Sequence, residues 1–540
     1  MSASPEQDHA PWWKDAVFYQ VYIRSFADSD GDGLGDLPGL TSRLPYLRDL
    51  GVDAVWITPF YPSPQHDAGY DVSDYVDVDP RFGSLADADT LLAKAHSLGL
   101  KVVVDLVPNH TSSEHVWFRA ALASEPGSPE RARYLFRKGK GRGGVNPPNN
   151  WQSVFGGPAW TRVPDGEWYL HLFDTTQPDL DWRNPEVPAM FEDVLRFWLD
   201  RGVDGFRVDV AHGLFKVESL RDQRDLDTPP APAAQQARAA EQGAVGSLVP
   251  QHLGDEPMWD QPEVHDVYRA WHRILAEYDG DRMGVAEAWT QTPESMARYV
   301  RPDELQQAFN FSWLLAPWSA SAFVDVISGS LAAVAPVGAV PTWVLSNHDV
   351  IRHPTRYGGG PVGVARARAA TLAMLALPGS SYLYQGEELG LEEIDVPPES
   401  RQDPAWFRTG KPGRDGCRVP LPWRGTRAPY GFSSSGVEPW LPQPDDWAPL
   451  TVAAQKKDPD STWAFYRTAL RARRRFSGLA EPVELVVGRT TVLEFRRGPL
   501  TVVCNCGSRP VRLPKGDVVV ASGPLDEGGL LPPDTAVWLA

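Results

Sequence analysis

Eight short apolar, β-rich runs recur along this chain, separated by amphipathic or loop-rich stretches, and that alternation constrains the fold more than any other feature. The runs are VFYQVY (17–22), DAVWIT (53–58), KVVVDL (101–106), DGFRVDV (204–210), RMGVAE (282–287), QAFNF (307–311), TWVLS (342–346) and SYLYQ (381–385). Runs this apolar suit strands buried on both faces, which means parallel strands joined by helical crossovers. LADADTLLAKAHSLGL (85–100) and PAMFEDVLRFWLDRG (188–202) read as two of those helices. Eight such units predict an α/β fold, a closed (β/α)₈ TIM barrel, rather than an open doubly wound sheet.

Three stretches break the alternation. Residues 111–182 are rich in Pro, Gly, Asn and Trp, including GKGRGGVNPPNNWQ, and follow the third strand. A loop of that length is a subdomain or a functional lid. Polar, Pro/Ala/Gln-rich residues 217–260 read as an excursion from the fourth unit, and Pro- and Trp-dense residues 390–455 as another after the eighth. After the helical DSTWAFYRTALRARRRF the pattern changes to alternating strands: VELVV, TVLEFRR, LTVVCNC, VVVAS and TAVWLA. The expected organisation is therefore a barrel in two parts (1–110 and 183–476), a loop subdomain (111–182) and a C-terminal antiparallel β-domain (477–540). There is no internal repeat, no heptad pattern and no signal of oligomeric state.

Composition narrows the partners. With 52 Lys and Arg against 70 Asp and Glu, the 540-residue chain carries a net charge of −18, a poor match to nucleic acid or an anionic membrane. The longest apolar runs, such as TLAMLALP (371–378), fall far short of a bilayer span. The start, MSASPEQDHAPWWKDA, lacks the basic and apolar regions of a secretory signal. Three Cys exclude a disulfide scaffold and suit a reducing compartment, so the cytoplasm is the expected location. The 21 Trp, 16 Tyr and 20 Phe fill cores first, but aromatic faces also stack on sugar rings.

In a parallel barrel the active site lies at the C-terminal ends of the strands. Here those ends carry Asp105 and His110 (KVVVDLVPNH), Arg207, Asp209 and His212 (GFRVDVAH), Glu287 (VAEAW), and Asn347, His348 and Asp349 (VLSNHD). One acid at a strand end is ordinarily a surface or capping group. Three acids on three barrel strands point to glycoside hydrolysis, which needs one ionised carboxylate and one protonated carboxylic acid. Arg207 and Asp209 are two apart, so on a strand both face the same way, and the guanidinium is expected to lower the Asp209 pKa. Glu287 stands among apolar and aromatic neighbours, which is expected to raise its pKa by desolvation. Asp209 is thus expected as nucleophile, Glu287 as general acid/base, and Asp349 as a support for sugar hydroxyls and transition-state charge. His110 and His348 are candidate partners for hydroxyls.

The ordered set DLVPNH, GFRVDVAH, VAEAW and SNHD, with AVFYQVYIRSFADSDGDGLGDLPGL, DAGYDVSDY and QPDLDW, resembles glycoside hydrolase family 13, the α-amylase family, over essentially the whole chain. QPDLDW and SDGDGLGD resemble its oligo-1,6-glucosidase and α-glucosidase branch, and GFRVDVAH with SNHDVIRHPTRYG its actinobacterial α-glucosidases. The resemblance implies the same three catalytic roles. It places the contacts to the reacting glucose on Asp67, Tyr70, His110, Arg207 and His348. RDGCRVPLPW resembles the branch's R-D-x-x-R-x-P-M-Q-W motif and places a further sugar-binding Arg at Arg418, expected to pair with Asp67 at the closed end of the pocket.

The implied function is a retaining, exo-acting α-glucosidase on terminal α-linked glucose of short malto-oligosaccharides and related α-glucosides, with transglycosylation as a side activity. Val210, directly after Asp209, leans toward α-1,6 linkages. Ala211-His212 departs from the Ile-Asn of oligo-1,6-glucosidases and favours α-1,4 with relaxed linkage. An isomaltase-type oligo-1,6-glucosidase and a transglycosylase such as trehalose synthase are the alternatives; VAEAW differs from the E-A-N-Q segment of trehalose synthases. A transporter-associated family member is the rival outside catalysis, and the intact acids with no anchor expected argue against it.

Asp28, Asp30, Asp32, the Leu34 carbonyl and Asp36 alternate as oxygen ligands around Gly33, the pattern of a hard-cation loop. An acidic, solvated turn is the bland reading. Related glucosidases hold Ca²⁺ here, which implies a structural Ca²⁺ and no organic cofactor. GKGRGG is followed by VNPPNN, which cannot open a helix, so no dinucleotide site is expected. Cys504-Asn505-Cys506 is too tight for a zinc site, and the sequons at Asn109 and Asn310 mean little without secretion.

Overall fold

The computed structural model describes residues 10–223 and 256–540, apart from positions 435, 487 and 527. All eight expected strands form: β1 Val17–Val21, β2 Ala54–Ile57, β3 Lys101–Leu106, β4 Gly205–Val208, β5 Met283–Ala286, β6 Gln307–Ala308, β7 Thr342–Val344 and β8 Ser380–Tyr384. They pair in parallel in the order β7-β8-β1-β2-β3-β4-β5-β6. A parallel bridge between Phe309 and Thr342 closes the ring, with the Asn310 N–H donating to the Thr342 carbonyl at 2.9 Å. The TIM barrel is therefore closed at β6–β7 by a single bridge rather than a ladder. β6 is shorter than QAFNF promised because the Asn310 side chain caps the helix Phe311–Leu314, accepting the Trp313 N–H.

Seven helices lie in the crossovers, α1 Leu37–Leu50, α2 Leu85–Ser97, α3 Glu186–Asp200, α4 Val264–Leu275, α5 Pro293–Ala297, α6 Ala320–Val334 and α7 Gly360–Leu375, and α8 Thr462–Arg473 follows β8. Their starts are written in the sequence. Asp36 caps α1 by accepting the Gly39 N–H, and Ser84 with Asp87 forms a capping box on α2. Gly51, at φ 108°, ends α1 in the left-handed conformation that favours glycine. The segment Ala320–Val337 keeps a mean hydropathy of 1.6 over 18 residues, so the longest apolar stretch is longer than the eight-residue run noted above. It packs as a barrel helix through Phe323, Ile327 and Val334.

Residues 111–182 hold the helix Val116–Ala123 and a three-stranded antiparallel sheet of Phe136–Lys138, Trp160–Arg162 and Glu167–Leu170. This subdomain has its own core around Trp151, Trp160, Leu170 and Leu172. It is tied back to β3 by an antiparallel bridge between His110 and Asp179. Of the excursion at 217–260, residues 224–255 lie outside the described residues; 217–223 run along the subdomain, where the Arg221 carbonyl accepts the Trp151 indole N–H at 2.9 Å. The irregular segment after β8 also clamps the subdomain, Arg408 Nη1 lying 3.0 Å from Asp174 Oδ1. Near the C-terminus, five antiparallel strands (Glu484–Leu485, Val492–Arg497, Leu500–Asn505, Thr535–Leu539, Val518–Ala521) form a sheet against α7, with the Trp538 indole N–H donating to the Leu372 carbonyl at 2.9 Å.

Candidate active site

The C-terminal ends of the barrel strands, the subdomain and the segment after β8 enclose a pocket of about 650 Å³ counting its open mouth. Asp67, Tyr70, His110, Asp209, His212, Glu287, His348, Asp349 and Arg414 supply its polar lining. Arg207, on β4, lies at its base and organises the carboxylates. Its Nη1 is 2.8 Å from Asp105 Oδ1 and 2.6 Å from Asp209 Oδ1, and its Nη2 is 2.9 Å from Glu287 Oε2. Glu287 Oε2 also accepts the Val210 N–H at 3.0 Å, while the Trp289 indole N–H points to Oε1 at 3.3 Å. Val210 reaches that position with φ at 47°, a costly left-handed conformation for a β-branched residue.

The electrostatics depart from the expectation at Asp209. Burial pushes its carboxyl well above the ordinary range; Arg207 opposes this, while Glu287, Asp105 and Asp349 add to it. The neighbouring pair in GFRVD made Arg207 look like a private counter-ion, but the fold shares that one guanidinium among three acids. Burial likewise pushes Asp105 to about 6 against Arg207. At Asp349 burial loses: His348, Arg414, Arg418 and Arg207 hold the carboxyl well below the usual range. One guanidinium thus faces the three carboxylates of Asp105, Asp209 and Glu287.

The other side chains fix the rest of the polar surface of the pocket. Tyr70 donates its hydroxyl to Asp105 Oδ2 at 3.0 Å and stacks on His348, centroids 5.3 Å apart at 12°. His348 Nδ1 bonds Gln20 Nε2 at 2.7 Å, and burial keeps its pKa well below the ordinary value, so it is neutral. His110, lowered to about 4 by burial, has Nε2 3.1 Å from the Tyr70 carbonyl and 3.2 Å from Gln177 Nε2. The expected Asp67–Arg418 pair is corrected: Asp67 Oδ1 pairs with Arg414 Nη2 at 2.6 Å. Arg418 stands behind Asp349, with Nη2 3.0 Å from Asp349 Oδ1 and Nε donating to the His348 carbonyl at 2.8 Å. Both arginines belong to RDGCR. The turn Asp415–Cys417 aims the first into the pocket and the second at its wall.

Sequence reasoning also missed the apolar wall of Val154, Phe173, Trp259, Trp289 and Val350, and a tie by Lys216. Lys216 Nζ, fully buried, lies 2.7 Å from Asp179 Oδ2 and 2.8 Å from Asn109 Oδ1, joining β3, β4 and the subdomain. A lysine inside VAHGLFK was the available signal for that tie.

In the acidic loop, carboxylate oxygens of Asp28, Asp30 and Asp36 gather within 4.8 Å of one another. Asp32 is outside that group; its Oδ1 accepts the Leu34 N–H at 2.7 Å. Burial raises the pKa of Asp36, and nearby Asp30 adds to it. Gly31 and Gly33 sit at φ 86° and 94°, and a Cβ on Gly33 would lie 2.5 Å from the Glu438 carbonyl oxygen.

Comparison with known proteins gives the family. Residues 20–481 match the alpha amylase catalytic domain. A probable alpha-glucosidase of Rhizobium meliloti is 39% identical over 501 residues, covering 91% of this chain and 88% of that one. An oligo-1,6-glucosidase of Parageobacillus thermoglucosidasius is 35% identical over 504 residues, covering 86% and 84%. The crystal structure of the alpha-glucosyl transfer enzyme XgtA superposes with a TM-score of 0.87 at 38% identity, over 98% of this chain and 100% of that one. Three acids gathered around Arg207 at the mouth of a closed barrel, with these relatives, make the chain a glycoside hydrolase of the α-amylase family.

Proposed function

We propose that this enzyme is a retaining, exo-acting α-glucosidase that releases terminal glucose from short malto-oligosaccharides and related α-glucosides, α-1,4 linkages preferred with relaxed tolerance of others. The observation that carries the exo reading is the Asp67–Arg414 ion pair among the pocket-lining residues. A glucose whose terminal 4-hydroxyl meets that pair leaves no passage for a chain extended at the same oxygen. Glu287 protonates the glycosidic oxygen as Asp209 attacks the anomeric carbon, forming a glycosyl ester. Glu287 then deprotonates the water that hydrolyses the ester. The bridging Arg207 keeps both carboxyls within reach of one side chain, which suits the ~5–5.5 Å gap of retaining enzymes better than ~6.5–9.5 Å. Ionised Asp349 stabilises positive charge on the sugar ring at the transition state. Hydrolysis of maltose, isomaltose, sucrose and trehalose, followed by glucose release and new disaccharides, tests the reading. Rapid internal cleavage of soluble starch overturns it.

Transfer to a second sugar is favoured as a side activity by the likeness to XgtA. A trehalulose synthase, MutB, also superposes, with a TM-score of 0.85 at 29% identity. We propose further that the 28–36 loop holds a structural Ca²⁺ through Asp28, Asp30 and Asp36, with Asp32 and the Leu34 carbonyl completing the shell. The converging oxygens and the hard, anionic donor set support this. Bound there, the ion neutralises the crowded carboxylates; it has no part in the chemistry. Free cysteines at 417, 504 and 506 support a cytoplasmic setting.

A further inference from the structure

At the end of the barrel from which its strands start, two arginines share one buried place. Arg473, the last residue of α8, is 6% exposed, and Arg497, the last residue of the strand Val492–Arg497, is 4% exposed. Both line a small cavity between the barrel and the C-terminal sheet, about 220 Å³ counting its mouth, together with Asp15, Leu375, Phe476 and Trp538. Asp15 stands just before β1, and Leu375 ends α7 ahead of β8, so the cavity lies at the opposite end of the barrel from the catalytic carboxylates. That end of a parallel barrel serves stability rather than chemistry.

The contacts of these two side chains leave their charges uncompensated. Arg473 donates from Nη1 to the Leu375 carbonyl, and from Nη2 to the carbonyls of Gly379, at 2.6 Å, and Asp15, at 3.1 Å. Arg497 donates from Nη2 to the Leu479 carbonyl at 2.7 Å, and its buried Nε has no acceptor. Carbonyls satisfy N–H groups but bring no charge, and among the described residues neither guanidinium has a carboxylate partner. Asp15 is the acid that acts most strongly on both. Its own carboxylate is turned to the backbone, Oδ1 accepting the Gly379 N–H at 3.3 Å and Oδ2 the Gly478 N–H at 2.8 Å. Burial lowers the Arg473 pKa to about 10, with Asp15 and Asp53 opposing and the Arg497 charge adding to the fall. Burial lowers Arg497 as well. A buried charge is costly unless it is paired, and here two of the same sign line one cavity.

We infer that this cavity is an anion site, taking one small, weakly hydrated monovalent anion of the halide class between Arg473 and Arg497 and so pinning the C-terminal sheet to the barrel. There is room for a single water-sized guest, which admits chloride and excludes sulfate or phosphate. The apolar walls of Leu375, Phe476 and Trp538 favour an anion that gives up its water at little cost. A water molecule in the same place satisfies the free Nε–H but leaves both charges standing, so the two occupants differ in their response to salt.

Thermal unfolding of the full chain in sodium gluconate, with chloride replacing gluconate at constant ionic strength, tests this. An ion that binds only the folded state raises Tm by mass action. Tm should rise by about 2 °C or more, bromide should act as chloride does, and the increment should be lost in Arg497→Gln, which keeps a donor without the charge. Crystals of the wild-type enzyme grown with bromide should show an anomalous peak between the two guanidinium groups, a result independent of whether the variant folds. A Tm that stays flat or falls as chloride replaces gluconate overturns the assignment. So does an equal chloride increment in Arg497→Gln, or a cavity that holds only water in the bromide crystals.

Discussion

Arg414 and Asp67 form a buried ion pair at the floor of the pocket, Nη2 to Oδ1 2.6 Å apart, and the same guanidinium reaches Asp349 Oδ1 with Nη1 at 3.1 Å. One side chain thus links Asp67, proposed above to read the end of the sugar, to Asp349, proposed to stabilise charge on it. Removing one partner of a buried pair leaves the other charge uncompensated, at a cost of about 3–5 kcal/mol. Arg414→Ala should therefore lower kcat/KM on maltose by roughly 10²–10³-fold. It should also narrow the preference for maltose over a maltoside blocked at the terminal 4-hydroxyl. Arg418→Ala should lower kcat while keeping that preference, because Arg418 supports Asp349 and His348 from behind. Steady-state kinetics on the two substrates separate these outcomes; equal behaviour of the two variants contradicts the division of labour.

Asp209→Asn should abolish turnover without loss of fold, since an amide forms no stable glycosyl ester. Glu287→Gln should be severely impaired on maltose and partly rescued on 4-nitrophenyl α-glucoside, whose leaving group needs little protonation. Two displacements give net retention, so NMR of the first glucose released should show the α-anomer. Early β-glucose would rule out the double displacement.

The acid limb of activity follows from burial. Asp67 is pushed up to about 6 by desolvation, Arg414 opposing, and Asp105 is pushed up to about 6 likewise. Both serve as carboxylates, for Arg414 and Arg207 respectively. As pH drops through 6 each takes up a proton and loses its charge-assisted contact. kcat/KM should fall below about pH 6, more steeply than one proton allows. A pH profile flat down to pH 5 is the opposing result.

The Asp28–Asp30–Asp36 cluster should make thermal stability depend on Ca²⁺. An ion binding only the folded state adds RT ln(1 + [L]/Kd), about 2.7 kcal/mol at a hundredfold excess over Kd. A chelator should lower Tm by a few degrees while activity persists at low temperature. Asp28→Ala should lower bound calcium and remove the chelator's effect. Bound calcium equal to wild type in that variant would leave the loop as a capped turn only.

How much of this was legible in the sequence depends on whether local pattern or tertiary packing decides each feature. The strands were legible because parallel barrel strands are continuously apolar, and the acids because they stand directly after such runs. β6 fell short because Asn310, read as strand, is a helix cap. The fold gives Asp67 to Arg414 because two arginines four apart flank one tight turn, and spacing does not say which end of it faces the pocket. Asp209 reversed its expected pKa direction because GFRVD shows one guanidinium beside one carboxylate, while the barrel brings Asp105 and Glu287 to the same guanidinium from β3 and β5. Trp259 and Lys216 carry no motif; only the chain path after β4 brings them to the site.

Behind the pocket, after β8, Glu387 gives a pH dependence of stability separate from catalysis. Its carboxyl is fully buried, Oε1 accepting the Tyr384 N–H at 2.9 Å and Oε2 the Tyr466 hydroxyl at 3.4 Å. Burial pushes its pKa from 4.5 to about 8; Arg352 opposes and neighbouring Glu388 adds to the rise. In the unfolded chain the same group ionises near 4.5. The folded state therefore binds the extra proton between these values, and the unfolded state sheds it. Stability from this group is fully present below about pH 4.5, declines as pH rises, and is lost once pH passes 8. Glu388, also raised by burial and bonded to the Tyr19 and Tyr46 hydroxyls at 2.7 Å, adds a contribution of the same sign. Glu387→Gln preserves the shape and the acceptor for Tyr384 and carries no titrating proton. The variant should hold Tm more nearly constant from pH 4.5 to 9 than wild type, with the two curves converging toward pH 4.5 and the variant higher at pH 9. Melting curves across that range check it. A parallel decline in both proteins would show that the buried Glu387 proton does not set the alkaline limb.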